Sequence, residues 1–398
     1  MALNTVSSDR LSTTVKNTNF TSAEKQDLTD DIKPLLGSSG GGNKNLIING
    51  AMQVAQRGTS TTTTGGYPVD RMQCFHGGTD EAPTFAQADV ASGTTPYTLG
   101  FRKCLKVTNG DQTNDAGAAD YVWLQYKIEA QDIANSGWNY TSSSSYITLS
   151  FWVKSSVAQD FKGFIQTSDG TAQSYPFATG SLSADTWTKI TKIIPGNSNL
   201  TFDNNNAVGM NIQFLPFFGT DYTASSATEN AWQAYSSSAR CKDSTVTWYE
   251  TNDATWEITG IQLEVSSVAT EFEHRSFGQE LQLCKRYFNM IANGEGNSYH
   301  AVSDGFFWSA NEVDFMYTFP VEMRATPSMY QVTGNNYFKI QGGGQGGTTY
   351  IDGNFTQQYG SKISTSQYAA PDTSGTIGFS CHITVNNPAA RLGYNAEL

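Results

Sequence analysis

Between Thr259 and Phe288 the sequence changes its period, and that change constrains the chain more than any other stretch. Ile261, Leu263 and Val265 alternate with Gln262 and Glu264, the period of a strand with one face buried. Ser276, followed three residues later by Gln279, reads as a capping box, in which each side chain satisfies a backbone N–H that the first helical turn leaves orphaned. The spacing therefore predicts a joint helix over residues 276–292. Its apolar positions Leu281, Cys284, Phe288 and Ile291 step by three, four and three, a narrow stripe like the seam of a coiled coil. A strand that hands over to such a helix marks a domain joint, with the helix placed between subunits or between domains.

On either side of the joint the pattern is β. Tyr146–Val153, Trp187–Ile194 and Trp256–Leu263 alternate in period two, and Asn109-Gly110, Asp169-Gly170 and Pro195-Gly196 supply turns between strands. A jelly-roll antiparallel β-sandwich over residues 43–275 is the natural solution. The polar stretch Thr220–Ser244 is expected as a surface loop. Residues 293–398 carry short aromatic runs between glycines and asparagines, which predicts a second, smaller β domain. Residues 1–42 differ: Thr21 with Glu24 is another capping box, Pro34 stops the short helix it begins, and Gly37–Gly42 is a flexible linker. The fold class is mainly β, with a short helical N-terminal segment.

Composition excludes several functions. A formal charge of −12 and no cluster of Lys and Arg argue against nucleic acid, whose phosphates need a concentrated basic surface. No apolar run approaches a membrane span, so membrane insertion is not expected. The start of the chain lacks the basic-then-apolar layout of a secretory signal. Five scattered cysteines without a C-x-x-C pair read as buried thiols of a protein folded in a reducing cytoplasm. His76, His274, His300 and His382 have no ligand spacing, and neither a metal nor a cofactor is expected. No nucleophile elbow is present. The least poor catalytic group is Asp221, Glu229 and Asp243, in or beside a loop that also holds Trp232 and Tyr235.

Three segments carry a resemblance. Asn45–Gly58, the joint at Thr259–Phe288 and Phe319–Pro327, with the ending Asn395-Ala-Glu-Leu398, resemble phage tail-fibre and related virion-fibre proteins that contain a sandwich like a carbohydrate-binding module. The resemblance covers roughly residues 45–398 and is specific for a virion surface component, not for a ligand. It implies a homotrimer that docks on a phage tail or capsid protein through residues 1–42 and meets a host surface glycan with its distal domains. Such a protein would be assembled in the host cytoplasm and would stand on the virion surface, most naturally on the tail. A capsid head fibre or decoration protein, and a glycan depolymerase tailspike, are the alternatives. The resemblance also makes Glu264 a candidate ligand for a structural calcium ion.

Sugar recognition needs aromatic faces for the apolar side of a pyranose, with amides and carboxylates for its hydroxyls. In the distal domain these groups occur at Phe306-Phe307-Trp308 and at Asn335-Asn336-Tyr337-Phe338. Trp308, Tyr337, Phe338, Asn335 and Asn336 are therefore the expected ligand-binding residues. Trp138 with Tyr140, and Trp232 with Tyr235, are the corresponding pairs in the sandwich.

Overall fold

The alternating segments pair into two stacked sheets because each has one apolar face to hide. The structure is a computed structural model that describes residues 44–296, 300–342, 344 and 349–398. The expected docking segment, residues 1–42, lies outside the described residues. In chain order the first strands are β1 (Ser60–Thr61), β2 (Met72–Gly77), β3 (Thr84–Asp89), β4 (Lys103–Thr108), β5 (Tyr121–Glu129), β6 (Tyr146–Ser155), β7 (Asp160–Thr167), β8 (Gln173–Ser181), β9 (Thr188–Pro195), β10 (Val208–Phe218), β11 (Gln233–Ala234) and β12 (Thr255–Glu264). One sheet runs β1, β3, β4, β12, β6, β9 and the other β11, β8, β7, β10, β5, β2. Their pairings are antiparallel, and successive strands such as β5 and β6 fall in opposite sheets. The product is the expected jelly-roll sandwich. Val122, Leu124, Tyr126 and Ile128 of β5 share its core with Ile147, Leu149, Phe151 and Val153 of β6.

Two very short helices, α1 (Thr95–Thr98) and α2 (Ala130–Ala134), interrupt the sandwich, and α3 (Phe277–Lys285) follows it. The Ser276–Gln279 capping box is present at the start of α3. The predicted extent of this helix is not. It stops at Lys285, and Phe288 and Ile291 belong to β13 (Phe288–Asn293), so the coiled-coil seam does not exist. The sheet wins because β13 finds a partner strand, with Phe288 opposite Asn395, and both apolar side chains are buried there. The distal unit thus begins at Phe288 rather than at 293.

That unit continues with β14 (Ala301–Ser309), β15 (Glu312–Thr318), β16 (Ser328–Val332), β17 (Phe338–Gly342), β18 (Thr349–Ile351), β19 (Thr356–Gly360), β20 (Ser364–Ala369), β21 (Ser380–Val385) and β22 (Arg391–Asn395). A three-stranded sheet, β13, β22, β16, packs on a seven-stranded one ordered β18, β17, β21, β14, β15, β20, β19. Phe307, Val313, Phe315, Phe338, Ile383 and Leu392 lie in the core between them.

The segments that carry the resemblance converge at the joint. Gln56 donates from Nε2 to the Phe288 carbonyl at 2.8 Å and accepts the Met290 N–H at 3.2 Å. Arg57 and Arg71 both pair with the buried Glu397 carboxylate, and Arg57 stacks at 3.8 Å on the Phe288 ring. Arg286 meets the fully buried Glu129 with two bonds of 2.8 Å, and the Tyr287 hydroxyl donates to the same carboxylate at 2.6 Å. Arg324 donates to the carbonyls of Ala396, Asn206 and Glu397 at 2.7 to 2.8 Å. Asn45 and Asn49 spend their side-chain amides on nearby backbone groups. These motifs hold the architecture together.

Candidate functional site

The structure separates the predicted ligand-binding residues. Trp308 is 63% exposed, near the end of β14, with its ring edge-on to Phe306 at 6.4 Å. Asn335 and Asn336 are exposed in a turn. The backbone N–H of Asn336 donates to Asp352 at 2.5 Å, and this residue has φ +60°. Tyr337 is half-buried, packed on the distal core. Phe338 is no ligand platform: it is fully buried in that core, because it begins β17 and alternation turns it inward. Nor do Trp308 and Tyr337 form one site. Tyr337 bonds Asn386, and its neighbour Val385 bonds His300, which places Tyr337 beside the start of β14. Trp308 is seven residues further along that strand, roughly 23 Å away at ~3.3 Å per residue.

The sandwich pairs are structural as well. Trp138 is buried and packs with Tyr140 and Phe202. Trp232 lies edge-on to Tyr175 and donates from Nε1 to the Pro195 carbonyl at 2.7 Å. The Thr220–Ser244 stretch does not stand free as a loop. Tyr222, Tyr235 and Cys241 pack with Phe164, Leu215 and Phe218 on the outward face of β7 and β10.

That face holds a group of residues which the sequence reading did not single out. Gln73 of β2 stands opposite Gln125 of β5, and Gln125 stands opposite Gln213 of β10. In the next row Lys127, Asn211 and Gln166 are neighbours on β5, β10 and β7. These residues alternate with core residues along each strand, so all point away from the core. The Gln125 Nε2 donates to Asn211 Oδ1 at 3.0 Å, Asn211 donates to the Ser168 hydroxyl at 3.1 Å, and Gln213 donates to Gln166 at 3.4 Å. Gln125, Asn211 and Gln213 are buried although they face outward, so the band is recessed. An aromatic step rises beside it: Phe75 and Trp123, half-buried, are stacked at 4.4 Å. The Gln73 Oε1 and Ser174 Oγ atoms are buried here without a protein partner. Oriented amides, unpaired acceptors and an aromatic wall on one sheet face suit a neutral, polyhydroxylated ligand.

No family model and no curated protein matches the chain. Among solved structures it is similar to the enzymatically active domain of tailspike protein 4 of bacteriophage CBA120, at 11% identity and a TM-score of 0.30, over 56% of this chain and 22% of that one. A putative sugar-binding protein from Bacteroides thetaiotaomicron is matched at 12% identity and a TM-score of 0.27, over 56% of this chain and 100% of that one. The CBM22-1 xylan-binding domain of Paenibacillus barcinonensis Xyn10C is matched at 8% identity and a TM-score of 0.28, over 58% of this chain and 100% of that one.

Most of the catalytic and metal candidates are engaged in structural contacts. Glu229 pairs at 3.0 Å with Lys162, which also bonds Asp160 at 2.6 Å. Asp243 accepts from Thr223 at 2.9 Å, and Asp221 is exposed. Glu264 is buried and accepts from Gln262 Nε2 and from the backbone and hydroxyl of Thr270, at 2.7 to 2.9 Å. Protein donors thus take the place the calcium reading reserved for a metal. His274 bonds the Leu99 carbonyl at 2.8 Å and fixes the turn before α3. Among the described residues no group of three or more His, Cys, Asp or Glu is placed to hold a metal, and no helix is long and apolar enough to cross a membrane. The five cysteines are free and buried. Burial pushes the Cys74 and Cys241 thiols up to about 12, which keeps them protonated and unreactive.

Proposed function

We propose that the protein is a structural fibre protein of a phage virion that binds a host surface glycan without cleaving it. The observation that carries glycan binding is the recessed amide band of Gln73, Gln125, Gln213, Asn211 and Gln166 beside the stacked Phe75 and Trp123. Planar amides at fixed spacing offer a donor and an acceptor to each sugar hydroxyl, and ring faces take the apolar side of the pyranose. The carboxylates of the Thr220–Ser244 stretch favour binding over cleavage. Its one half-buried carboxylate, Glu229, is committed to Lys162, which leaves no facing acid and base pair there.

The virion role rests on the resemblance of Asn45–Gly58, Thr259–Phe288 and Phe319–Pro327 to fibre proteins. Residues 1–42 would dock on the tail, the five free thiols fit assembly in a reducing host cytoplasm, and the homotrimer now has no helical seam to support it. Binding of host polysaccharide by calorimetry tests the glycan reading. Gln166→Ala and Phe75→Ala are each expected to weaken it at least several-fold, with the protein still folded. Unchanged affinity in both variants, or release of reducing sugar by the wild type, would defeat the proposal. Removal of residues 1–42 is expected to leave soluble protein that no longer joins particles. Sedimentation as a monomer at micromolar concentration would end the trimer.

A further inference from the structure

The outward face of the distal seven-stranded sheet has a different chemistry from the amide band. Phe306, Asp314 and Tyr368 stand in one cross-strand row on β14, β15 and β20. Their neighbours along each strand, Phe307, Val313, Phe315, Gln367 and Ala369, are buried on the inner side, so the row faces out. Phe306 is 42% exposed, yet Asp314 between the two rings is only 9% exposed. Its Oδ1 has no hydrogen-bond partner. A β-bulge follows, since Phe307 pairs with Val313 and Ser309 with Glu312. The extra residue in it is Trp308, and a bulge of this kind re-aims a side chain. The indole lies beside the Phe306 ring, one residue before Ser309, whose partner Glu312 is on the strand that carries Asp314.

We infer that Phe306, Trp308 and Tyr368 with Asp314 and Glu312 form a binding site for an organic ammonium group, such as a trimethylammonium or the free amine of an amino sugar. Ring faces attract a cation through their quadrupole, and the attraction grows when the cation is partly desolvated. A carboxylate buried against rings without a donor is costly, and a cation seated above it offsets that cost. Burial, and then the charge and side-chain hydrogen bond of the neighbouring Glu312, push the Asp314 pKa upward, and a positive charge bound between the two carboxylates opposes that shift. No competing cation stands in this row: its other outward members are Ser380 and Thr356. Lys339, also outward, lies on β17 and is separated from β14 by β21. His382 is paired with Asp304 at 2.5 Å. A neutral sugar would use the rings and could donate a hydroxyl to Asp314, but it would leave the negative charge of Asp314 and Glu312 uncompensated, which is why the charge decides the ligand class. The site does not depend on the amide band or on the glycan reading drawn from it.

The test uses the whole chain, with tetramethylammonium chloride as probe and tryptophan indole N–H resonances as readout. One resonance is expected to move saturably and to be the one missing in Trp308→Ala, while sodium chloride at equal concentration moves none. Asp314→Asn keeps the shape and is expected to weaken binding about fivefold to tenfold. Choline and glucosamine are then compared with N-acetylglucosamine. Preference for choline assigns a trimethylammonium source and preference for glucosamine an amino sugar. Equal binding of N-acetylglucosamine, wild-type affinity in Asp314→Asn, or no movement of the Trp308 resonance would each overturn the inference. Loss of polysaccharide binding in Gln166→Ala with the ammonium response intact separates this site from the amide band.

Discussion

The two outward sheet faces invite comparison, because both are built from the same period-two alternation and end in opposite states. On the sandwich, the outward positions of β5 and β10 include the amides Gln125, Asn211 and Gln213, which bond one another or Gln166 of β7 and are nearly out of solvent. On the distal sheet, the outward positions of β14 and β15 include Phe306, Trp308 and Met316, which remain 42%, 63% and 67% exposed. Polar residues are hidden and apolar ones are displayed, the reverse of the usual sorting by solvent. What lies over each face accounts for part of the difference. The Thr220–Ser244 stretch packs over one part of the sandwich face, and the chain end at Glu397 and Leu398 forms a narrow crevice with Gln73, Gln125 and Lys127. An outward position is therefore not the same thing as a solvent position.

Substitutions can break this contrast, beginning with the joint on which the covered face depends. Glu397→Gln leaves Arg57 and Arg71 buried with their shared carboxylate gone, and is expected to cost about 3 to 5 kcal/mol in chemical denaturation. Phe338→Ala should cost a similar ~3 to 5 kcal/mol, since it removes a fully buried ring from the distal core. A loss below ~1 kcal/mol would place Phe338 outside the core after all.

Acid should act through the same joint. Burial raises the pKa of the Glu397 carboxyl, but Arg71 and Arg57 outweigh burial and hold it below its ordinary value. A depressed carboxylate contributes stability above its unfolded pKa of about 4.3 and loses it as pH falls toward the folded pKa. Melting temperature measured downward from pH 5 should therefore fall less steeply in Glu397→Gln than in the wild type.

Smaller effects sharpen the comparison. Gln125→Leu takes away the donor to Asn211 in the recessed band and should cost about 1 to 3 kcal/mol, the range for stranding a buried polar partner. Trp308→Ala, on the displayed face, should stay within ~0.5 kcal/mol of the wild type by thermal unfolding. If the order of these two is reversed, the difference between the faces is not one of burial.

Much of the fold was legible in local pattern. The alternation of Tyr146–Val153 and Trp256–Leu263 gave β6 and β12, and the Ser276–Gln279 pair gave the start of α3, because a cap is completed within one turn of chain. The end of α3 was not legible, since Phe288 and Ile291 fit a helical stripe and a strand equally and only the distant β22 decided between them. Trp308 and Phe338 were both expected at a ligand site, yet Trp308 is exposed and Phe338 is buried. A single residue's inward or outward turn depends on strand register, which a short aromatic run does not fix. The amide band was missed because Gln73, Gln125, Asn211 and Gln213 each read as the ordinary polar half of an alternating strand.

The sequence by itself determined the β class, the sandwich followed by a joint and a second β unit, the first turn of α3 and the buried reduced state of the cysteines. These are consequences of period, capping chemistry and composition, all readable within a few residues. Tertiary structure alone decided where α3 gives way to β13, which outward face is covered, and how Arg57, Arg71, Arg286 and Arg324 are shared among Glu129, Glu397 and the carbonyls of Asn206 and Ala396. Those contacts join residues that lie scores to hundreds of positions apart. Burial and ion pairing at such a distance depend on which strands become neighbours, and no local period records that.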